Sequence, residues 1–139
     1  MKIFDPSIPY SAIENSNVFS IIDAIKQGVR FSLFSTFANK SPFSLSEWSQ
    51  FLHISERTMQ RYQRDKKKFE PLQSEKIIEI VLVFKKGHEV FGSEANFNTW
   101  LDTTNISLGN QKPKQLFDNS FGINLLKDEL TKIEHGVLA

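Results

Sequence analysis

One stretch constrains this chain more than any other: Ser55-Glu56-Arg57-Thr58-Met59-Gln60-Arg61-Tyr62-Gln63-Arg64. It follows a short predicted helix, Leu45 to Leu52, across the tight link His53-Ile54. Ser55 suits an N-cap, because its hydroxyl can accept an orphan backbone N–H at a helix start. Arg57, Arg61 and Arg64 then fall at i, i+4 and i+7, which places them on one face of a helix. Lys66, Lys67 and Lys68 follow directly. A helix, a sharp turn and a second helix bearing a row of guanidinium groups is the arrangement with which a helix-turn-helix reads DNA. Arginine suits that task, since its planar fork meets guanine edges and phosphate oxygens two bonds at a time. Thr58 and Gln60 either touch base edges or are plain surface residues, and the lysines are either a polar linker or contacts to phosphates, which position a protein without specifying sequence. The competing reading is a solvated helix face whose arginines pair with Glu56 or Asp65.

The rest of the composition narrows the class. A chain of 139 residues is one compact domain, or two small ones sharing an interface. Its 13 phenylalanines are enough to carry much of a packed core. No apolar run approaches the ~20 residues a membrane-spanning helix needs; the most apolar run, Ile77 to Phe84, is broken by Glu79. The N-terminus lacks the long apolar stretch of a secretory signal. Cysteine is absent, which removes disulfides and thiolate metal sites and fits a reducing, cytoplasmic setting. The net charge of +1 hides an asymmetry. Residues 1–91 hold 13 Lys/Arg against 10 Asp/Glu, and residues 92–139 hold 4 against 6. Across 57–68 there are six basic residues and one acid, a clustering that supports nucleic-acid binding better than the overall charge does.

Almost the whole chain reads helical. Residues 1–15 form an irregular lead with Pro6 and Pro9. Val18, Ile21, Ile22 and Ile25 are spaced as one helix face, and Gly28 stands where a C-terminal cap belongs. Phe31, Phe34, Phe37 and Ala38 make the next face. Ser44-Leu45-Ser46-Glu47 is a capping box that opens the helix of Trp48, Phe51 and Leu52. Glu70-Pro71-Leu72 is a break, after which Gln73 or Ser74 starts a long helix that Gly92 stops. Ser93-Glu94 starts a helix with Phe97, Trp100 and Leu101, the last two expected in the core. Thr103 to Asn110 is a loop by composition. Lys112-Pro113 through Phe117 is a short helix with proline in its first turn. The last helix runs from about Phe121 to His135, with Ile123, Leu126, Leu130 and Ile133 on one face and Gly136 as its stop. No β alternation and no internal repeat is present. The reading is all-α, with the long helix shared between two halves.

These residues resemble a known family. The chain looks like an Xre/MbcA/ParS-type antitoxin of bacterial type II toxin–antitoxin modules, of the kind paired with RES-domain toxins. The resemblance covers roughly residues 17 to 137. The N-terminal half matches the family's Xre-like helix-turn-helix through Ser55-Glu56-Arg57-Thr58 and Arg61. The C-terminal half matches through Val90-Phe91-Gly92, Trp100-Leu101, Asn105-Ile106-Ser107-Leu108-Gly109, Pro113, Leu116-Phe117-Asp118, Gly122 and Ile133-Glu134-His135-Gly136-Val137. It is the order and spacing of these pieces that carry the likeness. Two positions depart from it. Asn110 stands where a second glycine is common, and asparagine tolerates left-handed backbone better than most residues. Tyr62 stands where the family usually has another basic residue.

The resemblance implies an N-terminal helix-turn-helix region over 1–72 and a C-terminal toxin-binding region over 73–139, joined by the long helix. It implies a homodimer on operator DNA, a RES toxin that consumes NAD⁺, occlusion of that toxin's active site, and repression of the module's own promoter. The DNA-facing residues would be Ser55, Arg57, Thr58, Gln60, Arg61, Arg64, Lys66, Lys67 and Lys68. The toxin-facing residues would be Asn105, Ser107, Leu108, Gly109, Asn110, Lys112, Glu134, His135 and Val137. Phe31, Phe34, Phe37 and Phe51 offer apolar surface for a symmetric interface. Trp100 would support the loop after it.

Nothing points to catalysis. His53, His88 and His135 lack metal-ligand spacing, no phosphate loop or nucleophile elbow occurs, and Asp128 and Glu129 point apart on a helix. No cofactor, metal or membrane partner is expected. The alternative function is a stand-alone transcription regulator whose C-terminal helices serve dimerisation or ligand sensing. A scaffold with a helix-turn-helix that no longer binds DNA is the third.

Overall fold

The structure, a computed structural model, describes residues 2–14 and 18–136. Among them stand α1 (Tyr10–Glu14), α2 (Val18–Gln27), α3 (Phe31–Lys40), α4 (Leu45–Leu52), α5 (Glu56–Arg64), α6 (Pro71–Phe91), α7 (Glu94–Leu101) and α8 (Ser120–Glu134). Short 3₁₀ turns occupy Lys2–Phe4, Ile106–Leu108 and Pro113–Leu116. The described residues contain no strand, only two isolated antiparallel bridges, Arg30 with Lys68 and Asn105 with Gln111. The all-α reading holds.

The helix starts follow side-chain chemistry. Ser44 Oγ accepts the Glu47 N–H at 3.1 Å while Glu47 Oε1 accepts the Ser44 N–H at 3.0 Å, so the capping box closes at both ends. Ser55 Oγ accepts the Thr58 N–H and Ser93 Oγ accepts the Asn96 N–H. Each satisfies a donor that the helix cannot satisfy internally. Gly92 and Gly136 end their helices with left-handed backbone, as expected.

Four local expectations change. The N-terminal lead is not irregular: it holds a 3₁₀ turn and α1, and Ile3 and Ile13 are buried. The long helix begins at Pro71 rather than Gln73 or Ser74. Proline restricts the residue before it, so Glu70 becomes the extended N-cap and Pro71 sits at N1, where its missing N–H costs nothing. The loop after α7 contains a 3₁₀ turn. On α2, Ile21 and Ile25 pack inward, but Val18 and Ile22 are exposed.

Helix α6 is the axis of the molecule. Ile77, Ile78, Ile80, Val81, Val83 and Phe84 are all buried, and the helix packs against α1, α2, α4, α7 and α8. A helix covered by neighbours on most sides should be apolar around most of its circumference, which is why this segment reads as one apolar run. Glu79 within it is half-buried, and burial pushes its carboxyl above the ordinary range. Lys86 is buried too. Its ammonium donates to Thr131 Oγ1 on α8 and lies 5.3 Å from the Tyr10 ring centroid on α1. Helix α8 comes close to the preceding turn at Gly122, where any Cβ would lie 2.1 Å from the Leu116 carbonyl oxygen.

The helix-turn-helix is tied to α6 by a strap. Phe31 N–H donates to Lys67 O at 3.1 Å and Phe69 N–H to Val29 O at 2.8 Å. Gly28 makes this approach feasible: its φ is 86°, and a Cβ there would lie 2.6 Å from Phe69 O. Ser74, fully buried on α6, closes the joint by accepting the Val29 N–H at 2.9 Å and donating to Phe69 O at 3.2 Å. Ser74→Ala strands that N–H in the core, so urea denaturation should show a loss of about 1–3 kcal/mol. An unchanged midpoint would mean the strap does not need the hydroxyl.

Candidate functional site

The first candidate surface is α5. His53 turns the chain out of α4 with left-handed backbone (φ 56°), and Ser55 caps α5 four residues before the fully buried Met59. Met59 is the inward anchor of the helix; Arg57, Gln60, Arg61 and Arg64 are exposed on it. Together with half-buried Thr58 they line one shallow groove. The shared face read from the spacing is therefore present.

The members of that face differ electrostatically. Arg64 Nε lies 3.0 Å from Asp65 Oδ1, and the pair holds the Asp65 carboxyl below its ordinary range. Arg57 and Arg61 form no ion pair among the described residues. Ser55 and Thr58 are occupied with each other: the Ser55 hydroxyl donates to Thr58 Oγ1 at 2.9 Å while accepting the Thr58 N–H. Arg57 and Arg61 are thus the cations of the face without a salt bridge among the described residues, with Gln60 as its uncharged polar member.

The lysine triplet does not extend α5. Lys66 takes left-handed backbone (φ 53°), and Lys67 N–H donates back to Tyr62 O at 3.0 Å. The chain reverses there and enters the strap through Lys67 and Lys68. All three side chains are exposed, and Lys67 Nζ sits 5.8 Å from the Tyr62 ring centroid. Tyr62, the departure from the family pattern, packs edge-on against Phe69 with centroids 5.5 Å apart. Arg61 Cζ and Lys67 Nζ lie over this ring, 5.9 and 5.8 Å from its centroid.

The second candidate surface lies after α7. Asn105 Oδ1 accepts the Ser107 N–H at 2.9 Å, and the Asn105 carbonyl accepts N–H groups from Leu108 and Asn110. Gly109 and Asn110 both have positive φ, 72° and 61°; asparagine does here what a second glycine would do. The Ser107 hydroxyl lies 2.7 Å from both Asn105 Oδ1 and the buried Glu129 carboxylate on α8. With one proton, it donates to one of them at a time. The loop is therefore a closed turn clamped to α8. Lys112 and Lys114 converge on Asp102 at 3.2 and 2.7 Å. Those two ammonium groups, Lys114 first, hold the Asp102 carboxyl below its usual range. Trp100 is half-buried and stacks on Phe97 with centroids 5.8 Å apart.

Within this region the side chains divide. Leu108 is buried, whereas Ile106, two residues earlier, is 85% exposed. Ser107, Gly109 and Asn110 are at the surface. Glu134 and His135 are exposed at the end of α8 and face each other at 3.8 Å. Val137 lies outside the described residues. Reading the sequence for polar loops missed the largest exposed apolar groups here: Ile106, Phe121, also 85% exposed, and Leu125. A signal existed. Phe121 and Leu125 fall off the 123/126/130/133 stripe that marks the buried face of α8. The rings considered for a symmetric interface behave oppositely: Phe31, Phe34 and Phe51 are buried, and half-buried Phe37 packs on Trp48 and Phe84.

With this geometry in place, comparison with known proteins is direct. Residues 20–81 match the antitoxin Xre-like helix-turn-helix domain. Residues 86–136 match the antitoxin Xre/MbcA/ParS C-terminal toxin-binding domain. This is the architecture of an Xre-type antitoxin. An antitoxin Xre of Yersinia enterocolitica (serotype O:8 / biotype 1B) is 25% identical over 120 residues, spanning 86% of this chain and 81% of the relative. The helix-turn-helix match contains α5 with its arginines, and the C-terminal match contains Ile106, Phe121 and Leu125. One matched span ends and the other begins inside α6, with residues 82–85 between them.

The split between Leu108 and Ile106 is measurable. Leu108→Ala should cost about 2–5 kcal/mol in chemical denaturation, as expected for truncating a buried leucine. Ile106→Ala should stay within about 0.5 kcal/mol, as surface changes do. Equal losses at both positions would contradict this arrangement of the loop.

Proposed function

We propose that this antitoxin binds operator DNA through the exposed face of α5 and neutralises a RES-type, NAD⁺-consuming toxin through its C-terminal surface. The DNA reading rests on Arg57 and Arg61, two exposed guanidinium groups without ion pairs among the described residues, on the second helix of a helix-turn-helix. Gln60 completes a base-edge set, and Ser55 and Thr58 hold the helix start. Arg64, Lys66, Lys67 and Lys68 supply phosphate contacts from the end of α5 and the turn after it. A homodimer would place two such helices on the two halves of an operator, and binding to the module's own promoter would make the complex autoregulatory.

The single observation that carries the toxin reading is the pair of nearly bare apolar side chains, Ile106 and Phe121, within the region matching a toxin-binding domain. Phe121 and Leu125 are one turn apart on α8 and share its outer side. Ser107 couples the Ile106 turn to that helix through Glu129. Large apolar side chains seated in a partner's pockets provide most of an interface's energy, and the surrounding polar groups exclude water and set the encounter rate. Asn105, Ser107, Gly109, Asn110, Lys112, Glu134 and His135 form that surround, with Leu108 as the buried base of the loop. Covering the toxin's active-site mouth would block access of its substrate.

Two experiments test the halves separately. On the module's upstream DNA, Arg61→Ala should weaken binding by about 1–3 kcal/mol, the value of a bidentate base contact. Lys67→Ala should weaken all sequences alike and lower the salt slope by about one. A gel-shift titration unaffected by Arg61→Ala refutes the α5 assignment. For the C-terminal surface, the readout is growth rescue during co-expression with the product of the adjacent reading frame. Ile106→Asp with Phe121→Asp should abolish rescue while circular dichroism and DNA binding persist. Full rescue by the folded double variant would move the interface elsewhere.

A further inference from the structure

Tyr62 touches both parts of the basic surface, the arginine face of α5 and the lysine turn after it. Its half-buried ring packs edge-on against Phe69 with centroids 5.5 Å apart. Phe69 is itself fixed: it is buried, and its ring meets Phe31 at 5.7 Å and Phe34 at 5.1 Å. The Tyr62 ring therefore rests on the core of the helix-turn-helix region. Two cations stand over it. Arg61 Cζ lies 5.9 Å from the ring centroid and Lys67 Nζ 5.8 Å, inside the ~6 Å over which an aromatic face attracts a cation.

The fold builds both approaches. Neighbouring residues of a helix normally diverge, so the approach of Arg61 to the ring is no default of helical spacing. Lys67 arrives from beyond the end of α5. The left-handed backbone at Lys66 reverses the chain, and Lys67 N–H donates to Tyr62 O at 3.0 Å. Tyr62 thus holds the Lys67 backbone through its carbonyl and attracts the Lys67 ammonium through its ring. A ring and a carboxylate position a cation differently. Asp65 Oδ1 and Oδ2 accept from Arg64 Nε and Nη2 at 3.0 and 3.5 Å, which occupies donors and offsets the charge. The ring is uncharged and attracts through its quadrupole, so Arg61 keeps its full charge for a partner.

We propose that Tyr62 is a positioning residue for DNA binding, whose ring orders Arg61 and Lys67 before DNA arrives. The inference rests on the reading of α5 as the DNA-facing helix. Tyr62 adds no charge of its own; it arranges two charges already present. Both cations are exposed, and a long exposed side chain loses rotamer freedom when it is immobilised at an interface. Ordering it beforehand is worth about two- to tenfold in affinity for each side chain. One ring acting on Arg61 and Lys67 links the guanidinium offered to a base edge with the ammonium offered to a phosphate.

The test uses the full chain and a duplex spanning the DNA directly upstream of its reading frame. Tyr62→Phe keeps the ring and should bind like the parent in a gel-shift titration. Tyr62→Leu keeps apolar bulk beside Phe69 but removes the ring, and should weaken binding about three- to tenfold with an unchanged circular dichroism spectrum. In a protein already carrying Arg61→Ala, the same leucine change should cost less, because one of the two ordered cations is gone. In the free parent protein, NMR should show the Arg61 Hδ and Lys67 Hε protons displaced by the ring current, and Tyr62→Leu should abolish that displacement. A folded Tyr62→Leu protein that binds like the parent, while Arg61→Ala binds weakly, overturns the positioning role alone. Undiminished binding by Arg61→Ala overturns the α5 reading and this inference with it. An equal loss from the leucine change with and without Arg61 reduces Tyr62 to packing and also overturns it. Ordinary Arg61 and Lys67 shifts in the free parent do the same, and that measurement needs no variant to fold.

Discussion

The structure depends on the Phe84 ring. It meets Phe37 of α3 at 5.4 Å, Phe43 of the α3–α4 connection at 5.7 Å, Phe97 of α7 at 5.1 Å and Phe117 at 5.7 Å. The first three are edge-on, the arrangement that aromatic quadrupoles favour, and such pairs add about 0.5–1.5 kcal/mol each beyond simple burial. Phe43 and Phe51 extend the cluster to Phe117 at 5.2 and 5.9 Å. Rings from the helix-turn-helix region and from the C-terminal region therefore interlock around one side chain of α6. Pulling the two regions apart would expose the centre of the core, so the exposed face of α5 and the C-terminal surface sit on one packed body. A partner docked on one surface is held at a fixed place relative to the other.

Much of this was legible in the sequence because short-range chemistry decides it. Ser44, Ser55 and Ser93 announced helix starts, and Gly28, Gly92 and Gly136 announced ends. The 57/61/64 spacing put three arginines on one face, and the 123/126/130 stripe marked the buried side of α8. What could not be read depended on contacts between distant residues. The lead became ordered because Lys85, some eighty positions on, captures two of its carbonyls. Ser74 looked like a helix start and is instead a buried bridge between Val29 and Phe69. Phe31, Phe34 and Phe51 looked surplus only because the core contributed by the C-terminal half could not be counted. The Asn105–Asn110 segment read only as a loop by composition. Its Asn105 and Ser107 groups are instead used in closing the turn and clamping it to α8.

The recognition helix shows how packing sorts identical side chains into different roles. Arg57, Arg61 and Arg64 share a face, yet Asp65 at the C-cap takes Arg64 into an ion pair. An exposed pair of this kind adds little stability, but it fixes the direction of the guanidinium and weakens its field. Tyr62 turns onto Phe69, and the exposed Arg61 guanidinium lies over its ring. The reversal at Lys66 then swings three ammonium groups off the axis of α5. The outcome is a narrow pair of guanidinium groups, without salt bridges among the described residues, flanked by a broader basic turn, the layout on which the proposed division between base contact and phosphate contact rests.

The apolar side chains left outside the core follow a similar division. Isolated exposed apolar residues are ordinary on any surface, and Leu72 or Leu45 needs no further account. Ile106 and Phe121 are different, because each stands on a backbone that the fold holds rigid. Ile106 rides on a turn clamped by Asn105 and Ser107, and Phe121 sits in the first turn of a helix whose N-cap, Asn119, accepts the Gly122 N–H at 2.7 Å. Gly122 itself is pressed so closely on Leu116 that the start of α8 has little room to shift. Backbone held this way has little conformational freedom left to lose when a partner covers it, and that favours binding. The same features that lock α8 onto the core thus prepare its outer side for contact.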